Sequence, residues 1–175
     1  GVRMLQNIAE TTKYGTLGAF KELIPIGLCF VQLWSAGLYL QGIIEGLLGL
    51  RPLAHQHRLS IQPQLPSDWS HIRLNQLMVG SHKVSLEVAQ DRLSITHHEG
   101  AEALEVHYRM PSSELQLHPD SAQYMESRIV HDETDTWLVV SIPVGQHCEI
   151  YLTITHITLQ STDNAKEANA ANPCS

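Results

Sequence analysis

Cysteine is scarce in this chain, with three in 175 residues at positions 29, 148 and 174. They form no Cys-x-x-Cys pair, so neither a zinc knuckle nor a disulfide framework is encoded, and their scatter fits a reducing, cytoplasmic compartment. Charge is low as well, at 17% Asp, Glu, Lys and Arg, which excludes a coiled coil or a disordered acidic chain. Lysine and arginine never run together, and the net charge is −7. A nucleic-acid partner, which needs clustered basic residues, is therefore not expected. No glycine-rich phosphate loop and no Gly-x-Ser-x-Gly elbow is present, and no cofactor is expected. Gly1 already stands inside a helical pattern with no signal peptide before it, so the sequence reads as a segment of a longer chain or as a processed product.

What is present is apolar and strongly patterned. Hydrophobic residues make up 43%, enough for one domain with a real core. Val2, Met4, Leu5, Ile8 and Ala9 recur at helical spacing, so residues 2–13 read as a short amphipathic helix. Gly15, Gly18, Pro25 and Gly27 keep the next stretch irregular. From Val31 to Leu50 the pattern is helical again, about five turns. Its polar residues Gln32, Ser35, Gln41 and Glu45 share no face, so this helix is expected to be buried on every side. A membrane span over 28–50 is disfavoured by Glu45 and two glutamines, which are costly in lipid.

After Pro52 the period becomes two. Strands are readable at 58–62, 71–79, 82–89, 91–97, 102–109, 113–118, 127–131, 136–142 and 147–159, with hairpin turns at Gly80-Ser81 and Gln90-Asp91. Regular short strands with turn signals between them indicate an antiparallel β-sandwich. The polar, Ala/Asn-rich stretch 161–175 reads as a disordered tail. The chain is thus α+β, with a helical part at 1–52, a β-domain at 53–160 and a tail at 161–175. Two helices cannot bury an all-apolar surface by themselves, so they need the sandwich or further helices.

The residues at this junction resemble a known family. Cys29-Phe30-Val31-Gln32-Leu33-Trp34-Ser35-Ala36-Gly37, then Leu47-Leu48-Gly49-Leu50-Arg51-Pro52, then the strand from Arg58 that closes on Pro63-Gln64-Leu65-Pro66-Ser67-Asp68-Trp69 are similar to the C-terminal end of amylo-α-1,6-glucosidase-type glycoside hydrolases. These are relatives of glycogen debranching enzyme within the six-hairpin glycosidases. The likeness is specific over 29–69, weakens to about residue 89, and ends there.

The resemblance implies the last helical hairpin of an (α/α)6 toroid followed by a small β-domain. It also implies hydrolysis of α-glucosidic bonds by a carboxylate pair, with an oligo- or polysaccharide substrate and the remainder of the toroid as partners. Glu22, in Lys21-Glu22-Leu23, is the residue matching the family's catalytic carboxylate, although the family has proline where Lys21 stands and a longer loop before Cys29; a solvated loop carboxylate is the plain alternative. An inverting mechanism needs a base and an acid roughly 6.5–9.5 Å apart, and the acid would come from an earlier helix. The isolated segment is then inactive. The resemblance also makes Trp34 a sugar-stacking platform, and Gln32 could bond a sugar hydroxyl; core packing and a structural bond are the plain alternatives.

Eleven histidines are present, but the close pairs His55/His57 and His97/His98 lack Cys or carboxylate partners at zinc spacing. They read as surface and turn residues, with no metal expected. Asp132, Glu133 and Asp135 form an acidic turn without EF-hand spacing. Against the hydrolase reading stands a non-catalytic β-sandwich module that binds or scaffolds, with the helical hairpin as its dock. A membrane-tethered β-domain is a third reading.

Overall fold

A computed structural model describes residues 1–14, 18–21, 31–110, 115–117 and 125–154. Among these residues two α-helices lead into ten strands. Helix α1 spans Val2–Glu10 and α2 spans Leu33–Gln41, continuing through a wider π-type turn at Gly42–Leu47. The strands are β1 Arg51–Leu53, β2 Arg58–Ile61, β3 His71–Val79, β4 His82–Ala89, β5 Arg92–Glu99 and β6 Leu104–Met110. They continue as β7 Leu115–Leu117, β8 Ser127–His131, β9 Thr136–Ile142 and β10 His147–Ile154.

The strands form two five-stranded sheets, ordered β1-β2-β6-β9-β8 and β3-β4-β5-β10-β7. All paired neighbours run antiparallel except β2 and β6, which are parallel. The alternation seen in sequence is what packs the sandwich. Val84, Leu86 and Val88 of β4 and Leu93 and Ile95 of β5 point inward, opposite Leu59 and Ile61 of β2 and Leu104, Val106 and Tyr108 of β6. A one-residue slip would turn each of these sets outward, so the buried face fixes the register. A bulge between Leu74 and Leu77, with Gln76 at φ 55°, re-aims β3 beside its partner. Leading strands thus match the sequence pattern. Short β1 was not anticipated, because Pro52 suits only an edge strand. The flanks expected around β7, the stretch 155–159 and the tail 161–175 lie outside the described residues.

The helix before the sandwich departs from expectation. Residues 31–50 are not one uniform helix buried on every side: α2 contains no fully buried residue, and Leu33 is 81% and Trp34 74% exposed. Burial sets in only where the chain meets the sandwich, at Leu47, Leu48 and Leu50. The reason is geometric. Two helices cover at most one stripe of α2, with Leu5 reaching Gly42 and the Phe20 ring lying 5.0 Å from that of Tyr39. The remaining large apolar side chains, Leu33, Trp34, Leu38 and Leu40, are left mostly open. No helix among those residues is long and apolar enough to cross a membrane.

The joint between the two parts is tight. Leu50 N–H donates to the Ile44 carbonyl at 3.0 Å, and Gly49 takes φ 58°, the left-handed stop that ends a helix. The β2 exit strand then bonds back: Gln62 N–H to the Leu48 carbonyl at 3.2 Å and Gln64 N–H to the Leu47 carbonyl at 2.7 Å.

Candidate functional site

The residues singled out in the sequence fall at the N-terminal end of α2. Gln32 is the cap residue, half-buried, and its N–H donates to the Phe20 carbonyl at 2.7 Å. That bond brings the chain around Lys21 back to the helix start. Trp34 stands in the first turn with most of its indole open to solvent. It is therefore not a core residue of this segment; its large apolar face is available to a ligand or to another part of the protein. Glu22 lies outside the described residues, as do Cys29 and Cys174.

Two concavities flank the joint. One is an open groove of about 710 Å³ where the end of α2 meets β1, lined among others by Leu38, Gln41, Glu45, Leu50 and Arg51. The Gln41 amide donates to both Glu45 carboxylate oxygens at 3.1 Å. The second is a cleft of about 370 Å³ at one end of the sandwich, lined by Gln62, Gln64, Leu65, Gln90, Tyr108 and Arg109. Burial pushes the Tyr108 phenol up to about 12, helped by the negative charge of Asp91. Gln90 donates to the Pro66 carbonyl at 2.7 Å, and Arg109 Nε to Asp135 at 2.7 Å. This lining is amide-rich and its Arg109 is paired with Asp135, which suits a neutral polar ligand better than an ion.

The histidines are where sequence reasoning missed most. His82 and His97 are fully buried, not surface or turn residues. His57 Nδ1 lies 2.8 Å from His82 Nε2, His82 Nδ1 lies 3.1 Å from His97 Nε2, and His97 Nδ1 bonds the Ile142 carbonyl at 2.9 Å. Burial, followed by the neighbouring His97 and His57, holds His82 below the usual histidine range. His82 and His97 fall on the inward alternation of β4 and β5, and a histidine at such a position gives no hint of its partners. His98 points outward to Ser85, as the strand period requires. No group of three or more His, Cys, Asp or Glu is arranged to hold a metal among the described residues.

The acidic turn is structural. Asp132 Oδ1 accepts the N–H groups of Thr134 and Asp135 at 3.0 and 2.7 Å, and Oδ2 accepts the Trp137 indole N–H at 2.8 Å. These bonds hold its carboxyl below the usual range and set the β8–β9 turn. Cys148 is free and buried, its thiol pushed up to about 11 by burial and so inert as a nucleophile.

Residues 53–110, from β1 through β6, match the family model described as glycosyl hydrolase family 65, C-terminal domain. The β-part of this chain is similar to a glycoside hydrolase C-terminal domain. The match begins at the hinge before β2 and extends past residue 89, where the likeness in the junction motifs ends. It supports a glycoside hydrolase C-terminal domain and a glycosidase-associated segment, without singling out an amylo-α-1,6-glucosidase. No curated protein matches the chain at a significant level.

Proposed function

We propose that this chain is the C-terminal segment of a glycoside hydrolase that cleaves α-glucosidic bonds, of the amylo-α-1,6-glucosidase type, acting on oligo- or polysaccharides in the cytoplasm. One coincidence carries the reading. The part similar to a glycosidase C-terminal domain begins at residue 53, just past the π-type turn that continues α2, and backbone bonds at Leu47 and Leu48 tie the end of that turn to the β2 exit while Leu33, Trp34, Leu38 and Leu40 stay exposed. An apolar helix face of this size needs a cover, and the remaining helices of an (α/α)6 toroid are the cover this reading supplies. The domains then divide at about residue 52, the helical part completing the ring and the sandwich buttressing it.

In that setting Glu22 serves as the general base that activates water, and an acid from an earlier helix protonates the leaving oxygen. Trp34, at the ring's inner end of α2, stacks on the sugar and Gln32 bonds a hydroxyl. The test is hydrolysis of α-1,6- and α-1,4-linked oligosaccharides by the chain together with its natural upstream sequence, against the Glu22→Gln variant. Loss of a general base lowers kcat by about 10²–10⁴-fold; activity retained within a few-fold removes Glu22 from the mechanism. An upstream sequence without paired apolar helices would sink the hydrolase reading itself. The second reading, a sandwich that binds without catalysing, draws on the amide-lined cleft at Gln62, Gln64 and Gln90. It is favoured if saccharide binding survives without any hydrolysis.

A further inference from the structure

The three linked imidazoles run across the sandwich at its hinge end. His57 ends the turn Ala54–Gln56 that leads into β2 in the first sheet, held at φ 50°. His82 and His97 lie on β4 and β5 in the second sheet, and the chain returns to the first sheet at the carbonyl of Ile142 on β9. Both sheets and the hinge are therefore tied through one line of hydrogen bonds.

That line has a single direction. A carbonyl only accepts, so His97 must carry its proton on Nδ1, which leaves Nε2 as an acceptor while the ring is neutral. His82 must then donate from Nδ1, leaving its Nε2 to accept, and His57 must donate from Nδ1. All three neutral rings are fixed as Nδ1–H tautomers, each by the next ring's bond. The consequence for added protons is asymmetric. One proton on His57 Nε2 disturbs none of the three bonds and faces the Glu102 carboxylate at 3.9 Å. A proton on Nε2 of His82 or His97 sets two donors against each other inside a fully buried site.

Other charges are turned away from this line. Lys83 and Glu99, next to His82 and near His97, pair with each other at 3.1 Å. Arg58, next to His57, faces Glu105 at 3.3 Å, and Glu105 also holds His107 and Arg128. His55 is engaged with Gln56, His98 with Ser85, and β9 offers only its backbone carbonyl. Among the described residues Glu102 is the carboxylate that acts on the relay, and it sits at the solvent end. The packing leaves no slack either: a Cβ on Gly100 would lie 2.5 Å from His82 Nδ1 and 2.7 Å from His97 Nε2.

We propose that His57, His82 and His97 form a proton-gated latch: it accepts one proton at its solvent end unchanged, and opens the hinge at residues 54–57 from the sandwich when a second proton enters. The sign follows from burial. The closed site keeps His82 neutral, whereas the opened one exposes an ordinary histidine, so the open form binds more protons and gains as pH falls below about 6.5. The proposal does not depend on the hydrolase reading, since it concerns the β-part alone.

The experiment is nitrogen-detected NMR of the histidine rings across pH 8 to 5, with protection factors for the His57 and Glu105 amides. Those amides bond Ala54 O at 3.1 Å and His57 O at 2.8 Å and so report on the hinge. Three Nδ1–H rings are expected at pH 8, with His57 the first to gain a second proton. Protection at both amides should then fall about tenfold per pH unit below about 6.5, the slope of one proton. An Nε2–H tautomer at any of the three, His82 titrating before His57, or a pH-independent protection factor overturns the latch. In Gly100→Ala, which wedges the His82–His97 bond, the hinge should already be open at pH 8 and the slope lost. Unchanged protection in that variant also overturns it, and the wild-type titration decides the matter if the variant does not fold.

Discussion

Replacing Gly49 by alanine probes the joint on which the whole arrangement rests. Gly49 sits at φ 58°, and a Cβ there would lie 2.2 Å from the Gln62 carbonyl oxygen, 2.8 Å from its carbon and 2.9 Å from the Gln62 Cβ. All three belong to one residue of the strand exit, and two are backbone atoms, so no side chain can swing aside. The exit must retreat by roughly 1.2 Å to reach ordinary contact. It is held where it is by the Gln62–Leu48 and Gln64–Leu47 backbone bonds. Forcing an L-residue into the left-handed region costs about 1–2 kcal/mol, and weakening two backbone bonds costs about 0.5–1.5 kcal/mol each. The sum is about 2–5 kcal/mol, a large share of the 5–15 kcal/mol typical of a folded domain. Gly37 is the internal control: it is helical, exposed, and a Cβ there would meet nothing within 4 Å. Gly37→Ala should therefore stabilise by about 0.5–1 kcal/mol. Urea unfolding followed by circular dichroism compares the two. A Gly49→Ala cost below about 1 kcal/mol would refute the claim that backbone contact at the joint fixes the helix against the sandwich.

Two further outcomes follow from the structure. Glu105 is held down to about 2, first by the hydrogen bond from His107 and then by Arg128. Its ionised form is favoured in the fold, so its contribution is complete above about pH 4.5 and fades as pH falls toward about 2. Allowing for partial solvent screening it amounts to about 1–2 kcal/mol. The stability gap between wild type and Glu105→Gln should accordingly shrink between pH 6 and pH 3, and an equal gap at both would count against the assignment. Trp34→Gln should change the stability of this segment by no more than about 0.5 kcal/mol, because the indole is already exposed. It should also reduce binding of a hydrophobic dye; a loss of several kcal/mol would show that Trp34 packs in a core after all.

The sandwich was legible because its signal is local. In β4, Val84, Leu86 and Val88 alternate with Ser85 and Glu87, and only one register of such a strand buries the apolar set. The turns at Gly80-Ser81 and Gln90-Asp91 were legible for the same reason. The likeness to a glycoside hydrolase was carried by short motifs around the joint, and Gly49 shows why they are specific: a left-handed helix stop pressed on a strand carbonyl admits glycine alone. The relay was not legible. Nothing in the strings around His57, His82 and His97 says that residues 25 and 15 apart will share hydrogen bonds.

Composition and period alone therefore determined that a short helical part precedes a two-sheet β-domain, since alternation and turn chemistry act between neighbours along the chain. Tertiary structure decided the rest. It set the parallel pairing of β2 with β6, because that pairing joins strands far apart in sequence. It also decided how much of α2 is covered, because burial depends on which elements lie alongside and an apolar run states only that cover is needed. Hydrogen-bond direction through three distant imidazoles likewise exists only once both sheets are in place.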